Sequence, residues 1–125
     1  MNEREVENEL QAKGLNAPRL TPELIDAQIL AVRYIIGNQV PVDFSQDNSG
    51  GGQVSENGLA CLTVCILVLR NGFTVVGKSA CASPENFNAE LGRKIAYKDA
   101  RDQIWMLEGY VLKTRLSETK KGVAP

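Results

Sequence analysis

The sequence of 125 residues contains no histidine, and this absence excludes several kinds of site at once. Without an imidazole there is no Ser–His–Asp or Cys–His catalytic arrangement and no zinc site with histidine ligands. Cysteine is also scarce, because only Cys61, Cys65 and Cys81 are present, and three scattered thiols make a poor metal cage. We therefore predict no metal site, no cofactor and no catalytic residues.

The three cysteines fit reduced thiols better than a disulfide framework. Cys61 and Cys65 lie in one predicted strand, about 13 Å apart at ~3.3 Å per residue, whereas disulfide-bonded Cα atoms are rarely more than ~7 Å apart. Cys81 precedes a predicted helix, a position that can activate a thiol. Because no histidine is available as its base, we interpret Cys81 as a structural residue.

The sequence also lacks a strong net charge and a long apolar run. Its 14 Lys and Arg residues against 15 Asp and Glu residues give a net charge of −1, so the basic character of many nucleic-acid-binding domains is missing. No apolar stretch reaches the ~18 residues of a membrane-spanning helix, and the acidic start, MNEREVENEL, is unlike a signal peptide. We expect a cytoplasmic protein with no membrane partner and with nucleic acid as a disfavoured partner.

What is present is typical of a soluble globular domain, with 43% apolar and 23% charged residues. We predict an α+β fold with an N-terminal helix, a central antiparallel β-hairpin and a long C-terminal helix. An N-terminal arm or short helix is expected over 1–20, a single domain over 21–116 and a disordered tail over 117–125. The polar, glycine-rich segment 45–58 predicts a flexible loop, which we interpret as a tether rather than a lid.

Capping and spacing signals predict two helices near the N-terminus. The first is short and covers 3–13. For the second, over 22–36, Thr21 suits the N-cap, apolar residues follow helical spacing, and Gly37 supplies the stop. The sequence VPVDF, at 40–44, is an open alternative for a short third strand at the sheet edge.

An apolar stretch in the middle of the chain predicts the hairpin. The sequence LACLTVCILVLR at 59–70 favours strand, and Asn71-Gly72 after it is the strongest short-range hairpin signal. A two-residue turn would set Val68 opposite Val75 in the second strand. Both faces of the first strand are apolar, so we expect both to be covered.

Residues 72–79, GFTVVGKS, match the phosphate-loop pattern G-x-x-x-x-G-K-S/T at every fixed position. A phosphate loop is a flexible turn that leads into a helix at its Lys-Ser pair. Here the residues between the glycines favour strand, and the helix signal comes only at Ser83 and Pro84. We interpret the match as a coincidence and predict that the protein is not an enzyme. Gly77 instead indicates a bulge or the close approach of another backbone.

The helix predicted over 84–116 is amphipathic at first and apolar on two sides near its end. Ile104, Leu107 and Val111 lie within about 60° of one another at ~100° per residue, which makes a compact patch. One domain of this size covers only one apolar stripe comfortably. We therefore expect a second copy of the chain on this patch and predict a homo-oligomer.

Cationic and aromatic side chains are interleaved on the first half of the same helix. Together such groups hold a base by stacking and a phosphate by charge-assisted hydrogen bonds. We predict a ligand-binding site here, with a solvated helix face as the alternative. The candidate ligand-binding residues are Arg93, Lys94, Tyr97, Arg101 and Trp105.

Five short segments carry a family pattern, and they are Asn71-Gly72-Phe73, Gly77-Lys78-Ser79-Ala80-Cys81-Ala82, Pro84-Glu85-Asn86-Phe87, Gly92-Arg93-Lys94-Ile95-Ala96 and Ile104-Trp105 with Leu107-Glu108-Gly109-Tyr110. Over 62–116, and more loosely over 21–34, the chain resembles the gene-product-49/gene-66 family of small phage proteins. Members often carry a His-Tyr-Phe-like sequence where this chain has Arg33-Tyr34-Ile35. The resemblance implies a phage or prophage origin and an accessory protein rather than a virion part, and it assigns no site residues.

Three functions follow as hypotheses. The first is a non-enzymatic phage accessory protein in the host cytoplasm, an anti-defence or host-takeover factor that sequesters a small anionic, nucleotide-type host signal. The alternative is a protein-interaction module that binds and inhibits a host protein through the apolar end of the last helix. A weaker alternative is a nucleic-acid-binding module, since strand, strand and helix follow one another as in a double-stranded-RNA-binding domain; Pro84-Glu85-Asn86 stands where that module needs lysines.

Overall fold

The computed structural model describes residues 2–43, 45–48 and 52–120 and contains a three-stranded antiparallel sheet with a long helix packed on it. The strand order is β1-β2-β3. These features confirm the α+β class, the N-terminal helix, the central hairpin and the long C-terminal helix. In chain order the elements are α1 (Glu3–Ala12), α2 (Pro22–Gln28), β1 (Ile29–Ile36), α3 (Gln53–Ala60), β2 (Leu62–Leu69), β3 (Thr74–Ala80), a 3-10 turn (Pro84–Asn86) and α4 (Ala89–Lys120).

The helix predicted over 22–36 is wrong in its second half. It begins as expected, because the Thr21 side chain accepts the Leu24 N–H at 3.2 Å, but it ends at Gln28. The next eight residues, ILAVRYII, form β1 and pair with β2 as far as Ile36. An apolar, β-branched run is compatible with either a buried helix or a strand. Here the run forms a strand because it pairs with the equally apolar β2.

The connection between β1 and β2 also differs from the prediction. Residues 40–43 form no strand, and β1 is the third strand of the sheet instead; Phe44 lies outside the described residues. The predicted loop over 45–58 has no regular structure at 45–48, and from Gln53 onward it is helix α3. At the C-terminus, the tail predicted from residue 117 is helical through Lys120. Residues 49–51 and 121–125 lie outside the described part of the chain.

The hairpin joins β2 and β3 as predicted, but its register differs by one residue. Leu67, rather than Val68, lies opposite Val75. The loop at 70–72 has three residues, and in it only Gly72 has a positive φ, 87°. A two-residue type I′ turn needs positive φ at both central positions, so the longer loop with a single left-handed glycine forms instead.

This register determines which side chains of β2 are buried. Every second residue from Cys61, just before β2, to Leu69 is buried on the face where α4 packs, and this set is Cys61, Thr63, Cys65, Leu67 and Leu69. The residues between them point to the opposite face, where Val64, Ile66 and Val68 are partly exposed. Within the described residues of one chain, this second face of the sheet is therefore left open, and its coverage by a second subunit stays a prediction.

Helix α4 lies so close to β3 that Gly77 has no room for a side chain. A Cβ there would be 2.2 Å from the Ala96 carbonyl oxygen and 2.3 Å from the Ala100 nitrogen. Both alanines and Ile104 are fully buried. The prediction of a close backbone approach at Gly77 is confirmed, and around this contact the core is completed by Ile25, Cys65, Leu67, Leu69 and Val75.

Two side chains of α4 also satisfy the outer edge of β3. Asp99 Oδ2 accepts the Lys78 backbone N–H at 2.9 Å, and Gln103 Nε2 donates to the Val76 carbonyl oxygen at 2.5 Å. Unpaired groups on an edge strand invite pairing with another chain, and these bonds remove two of them. The stretch that matches a phosphate loop thus lies in a strand and its backbone is bound to α4.

We predict that Gly77→Ala destabilises the fold by about 3 kcal/mol or more, because the new methyl group overlaps backbone atoms of α4. Gly58→Ala is the matched control, since Gly58 lies in α3 with open space around its Cβ position. It should leave stability unchanged or raise it by up to ~1 kcal/mol. Urea unfolding followed by circular dichroism measures both, and a wild-type midpoint for Gly77→Ala would contradict the described packing.

Candidate functional site

The structure divides the predicted ligand face of α4 into two groups. Arg101 and Trp105 point toward α1 and α2, whereas Arg93 points toward β1. Lys94 is exposed and pairs with Glu90 on the helix surface at 3.2 Å. Between the two groups lies Tyr97, partly buried against the core.

Arg101 is 7% exposed, and most of its guanidinium donors are occupied. Its Nε donates to both carboxylate oxygens of Glu3, at 2.7 and 2.9 Å. The Nη1 atom lies 2.7 Å from Asp26 Oδ1 and donates to the Tyr97 hydroxyl at 3.1 Å, and Nη2 donates to the Pro22 carbonyl oxygen at 3.2 Å. These bonds use four of the five N–H groups of the side chain and tie α1 and α2 to α4.

Trp105 joins the same cluster, because its Nε1 donates to Glu3 Oε2 at 2.9 Å. Burial by itself raises the pKa of Glu3, but the hydrogen bonds from Arg101 and Trp105 outweigh it and lower the pKa below its ordinary value. In the structure Arg101 and Trp105 thus bond within the fold, and the ligand contact predicted for them stays a prediction. No local pattern indicates these bonds, since Glu3 and Arg101 are 98 positions apart in sequence.

Arg93 opens a separate cleft between α4 and the end of β1, which we call the Arg93 cleft. It has a volume of about 210 Å³, and its polar lining residues are Tyr34, Gln39, Thr63 and Arg93. In the described part of the chain the Arg93 side chain makes no hydrogen bond or ion pair. Burial raises the pKa of Tyr34, with Cys65 and Tyr97 adding to the shift and Arg93 opposing it, so the Tyr34 hydroxyl keeps its proton as a donor. Sequence reasoning missed Tyr34 because it placed this residue on a helix.

Thr63 lines this cleft, and its hydroxyl is left unsatisfied by the described residues. The residue is 1% exposed, and its Oγ1 has no hydrogen-bond partner among the residues that the structure describes. Gly92 of α4 lies directly above it, where a Cβ would be 2.7 Å from Thr63 Oγ1. A buried hydroxyl without a partner costs about 1–3 kcal/mol, which makes Thr63 an unusual choice for a packed strand.

A second pocket lies on the other side of Gly92, and we call it the Asn pocket. It has a volume of about 160 Å³. Asn88 Oδ1 accepts the Leu91 N–H at 3.0 Å and so caps α4, whereas its Nδ2 group and the Asn86 amide bond to no described residue. The polar lining residues are Cys61, Thr63, Ser79, Cys81, Asn86 and Asn88, and the apolar ones include Phe87, Leu91 and Ile95.

Cys61 and Cys81 lie side by side in the Asn pocket. Cys81 Sγ lies 3.8 Å from the Cys61 carbonyl oxygen. The hydrogen bond with Cys81, together with burial, raises the pKa of the Cys61 thiol, which favours its protonated and unreactive form. Across the described ranges, no three Cys, Asp or Glu side chains gather as metal ligands would. None of the described helices is long and apolar enough to cross a bilayer.

A comparison with known protein families matches most of the chain. The family described as Phage protein (N4 Gp49/phage Sf6 gene 66) family matches residues 20–116, which is 97 of the 125 residues. This confirms the resemblance seen in the sequence. The matched range contains both the Arg93 cleft and the Asn pocket and leaves out α1 with Glu3. No curated protein and no solved structure matches the chain.

We predict that the cluster of Glu3 and Arg101 stabilises the fold at neutral pH and that this stabilisation is lost in acid. Because the folded-state pKa of Glu3 is lowered, its contribution to the free energy of unfolding is fully present above the ordinary pKa of a glutamate. It disappears as the pH falls through the folded-state pKa. We expect Glu3→Gln to destabilise the protein by about 1–2 kcal/mol at pH 7 and to flatten the fall in Tm below about pH 5.

Thermal unfolding followed by circular dichroism at pH 7, 5 and 3 measures both effects. Glu56→Gln, at an exposed position of α3, is the control and should follow the wild type. Some acid sensitivity should persist in Glu3→Gln because a hydrogen bond from Arg19 also lowers the pKa of Glu7. A Glu3→Gln variant with wild-type Tm at every pH would show that the cluster does not stabilise the fold.

Proposed function

The chain belongs to this family of phage proteins, and on that premise we propose that it is a non-enzymatic accessory protein that sequesters a small anionic, nucleotide-type signal of its host. It would act in the host cytoplasm as an anti-defence or host-takeover factor. The observation that carries the proposal is Arg93, whose side chain makes no hydrogen bond or ion pair in the described structure and lines one cleft with Tyr34 and Gln39. A guanidinium beside hydroxyl and amide donors suits a phosphate group.

Sequestration requires only that the protein binds its ligand, and it requires no catalytic group. The residues around the Arg93 cleft are consistent with such a role. Among the described residues no carboxylate lines the cleft, and the chain contains no histidine that could act as a base. Lys78, which the phosphate-loop pattern would place on a nucleotide, lies on the sheet face away from α4. These features favour a binding protein over a hydrolase.

We expect calorimetry against a panel of nucleoside 5′-monophosphates and cyclic nucleotides to detect binding that depends on Arg93. Arg93→Ala should weaken it by about 10- to 100-fold, the effect of losing hydrogen bonds to a charged group. Lys98→Ala is the control, since this cation lies on the same helix and pairs with Asp102 at 2.9 Å. Equal affinity of Arg93→Ala and wild type, or no binding of any nucleotide, would overturn the proposal.

The second half of α4 supports a homo-oligomer. Ile104, which was predicted to lie in the interface, is fully buried in the core of the subunit instead. Beyond it the same stripe of the helix runs past the hairpin loop, where Leu107 and Val111 are each 37% exposed. They border a groove of about 440 Å³, here called the α4 groove, whose remaining walls include Leu69, Phe73, Met106 and Tyr110.

Charge complementarity favours a second copy of the chain in the α4 groove. Glu108 and Arg115 lie on one flank of α4, two turns apart, and neither has an ion pair in the described part of the chain. In a two-fold antiparallel helix pair centred near Val111, Glu108 of each copy lies opposite Arg115 of the other. A homodimer would thus pair charges that one copy leaves unpaired.

We expect light scattering after size exclusion to show a dimer for the wild type and a monomer for Leu107→Glu. Glu108→Arg should weaken the dimer by about tenfold or more, because two like charges then meet across the axis. Adding Arg115→Glu to that variant should restore it. A wild type that stays monomeric at high micromolar concentration, or a double variant no better than Glu108→Arg, would remove this interface.

The open face of the sheet favours a second candidate function, the binding and inhibition of a host protein. Its centre is apolar, with Ile66 in the middle strand and Val76 52% exposed beside it. Arg33 and Lys78 lie on the same face with side chains that pair with no described residue. An apolar patch flanked by cations suits an apolar, acidic protein surface. Nucleic acid is the weaker alternative, and salt-dependent binding of DNA or RNA would favour it.

A further inference from the structure

We propose that Cys61 and Cys81 form an oxidation site, at which a small disulfide such as oxidised glutathione converts the two thiols into a disulfide bond across the open end of the β2–β3 hairpin. Both thiols are free in the structure. The proposal goes beyond the proposed function, because it does not involve the Arg93 cleft or its ligand. It rests on where the two strands place these side chains.

The register of the hairpin sets the two cysteines opposite each other. Leu62 pairs with Ala80, and one step further the Cys81 N–H donates to the Cys61 carbonyl oxygen at 3.3 Å. Residues opposite each other in such a pair have Cα atoms about 5.5 Å apart and Cβ atoms about 4.5–5.5 Å apart. Disulfide-bonded residues have Cα atoms about 4.4–6.8 Å apart and Cβ atoms about 3.5–4.5 Å apart. The bond therefore requires only a small shift at the strand ends.

The two thiols also lie in contact on one face of the sheet. Cys81 Sγ is 3.8 Å from the Cys61 carbonyl oxygen, and both residues line the Asn pocket. A hydrogen bond between the two side chains is the main cause of the raised pKa of Cys61. Cys65 provides the contrast, because it is fully buried and pairs with Gly77, which carries no side chain. Of the three thiols, only those of Cys61 and Cys81 face each other across the hairpin.

The different exposure of the two thiols gives the order of the reaction. Cys81 is half-buried, whereas Cys61 is 6% exposed. The Cys81 thiolate therefore attacks one sulfur of oxidised glutathione first, which forms a mixed disulfide on Cys81 and releases one glutathione thiolate. Cys61 then loses its proton and attacks the Cys81 sulfur, which releases the second glutathione thiolate.

This exchange balances without any further reactant. The two cysteine thiols are oxidised to one disulfide, and one oxidised glutathione is reduced to two thiols that take up the two cysteine protons. The attacking group is a thiolate, so the exchange requires no histidine base.

The new bond would tie neighbouring segments of the chain together. Cys61 is the C-cap of α3, and Cys81 leads through the 3-10 turn into α4. The bond closes a loop over 62–80 and so restricts the unfolded chain. We expect the oxidised protein to have a Tm about 5 °C or more above that of the reduced protein.

Incubation of the folded wild type with an excess of oxidised glutathione tests the proposal. The count of free thiols should fall from three to one with no glutathione left on the protein, and a non-reducing gel should show no cross-linked chains. Trypsin should then release peptides 34–70 and 79–93 joined by a disulfide. Fragmentation of the joined peptides should place the bond at Cys61 rather than at Cys65.

Two serine variants test the order of the steps. Cys61→Ser should stop at the mixed disulfide and keep one glutathione on Cys81. Cys81→Ser should keep both of its thiols, since Cys61 and Cys65 are buried. Neither variant should show the rise in Tm that the wild type shows after oxidation.

Four results would overturn the proposal. They are a wild type that keeps all three thiols, a bond at Cys65 or between two chains, a mixed disulfide that persists on wild-type Cys81, and a Cys61–Cys81 bond that lowers the Tm. The last would mean that the strand ends must separate before the bond can form. Each of these results would leave the nucleotide binding proposed for the Arg93 cleft unchanged.

Discussion

The contact between Gly77 and the backbone of α4 is the constraint on which the rest of the structure depends. Because β3 carries no side chain at this point, the helix lies directly on the strand, with Ala96 and Ala100 as its contact surface. This position brings one flank of α4 to the edge of β3, where its side chains satisfy backbone groups. It also brings the opposite flank over β1, where Arg93 borders a cleft. The candidate site is thus a consequence of how closely one helix lies on one strand.

Two arginines on the same helix illustrate how packing assigns different roles to the same chemistry. Arg101 is buried and bonded to Glu3, Asp26 and the Pro22 carbonyl, so it holds the N-terminal helices in place. Arg93 lies eight residues earlier, beyond the reach of those helices, and keeps its donors free within the described structure. A charge that is used internally stabilises the fold, and one that is left free in a cleft is available to a ligand.

The sequence predicted the features that depend on local chemistry. The hairpin, the long last helix and the close approach at Gly77 each have a signal within a few residues. The features that sequence reasoning missed depend on contacts between residues that are far apart in the sequence. The apolar run of β1 fits helix as well as strand, and only pairing with β2 decides between them. The bonds of Arg101 within the fold were missed because its carboxylate partner Glu3 is 98 positions away. Thr63 looked like an ordinary strand residue, since only the packed structure shows that its hydroxyl is unpaired.

The central claim is that this phage protein captures a small anionic molecule of its host, and the protein isolated from infected cells tests it most directly. We would denature the purified wild type and identify the released small molecules by mass spectrometry, with protein from uninfected cells as the comparison. We predict a nucleotide-type compound that is enriched in the protein from infected cells. Protein that releases no such compound and instead co-purifies with a host protein would contradict the claim and favour binding at the open face of the sheet.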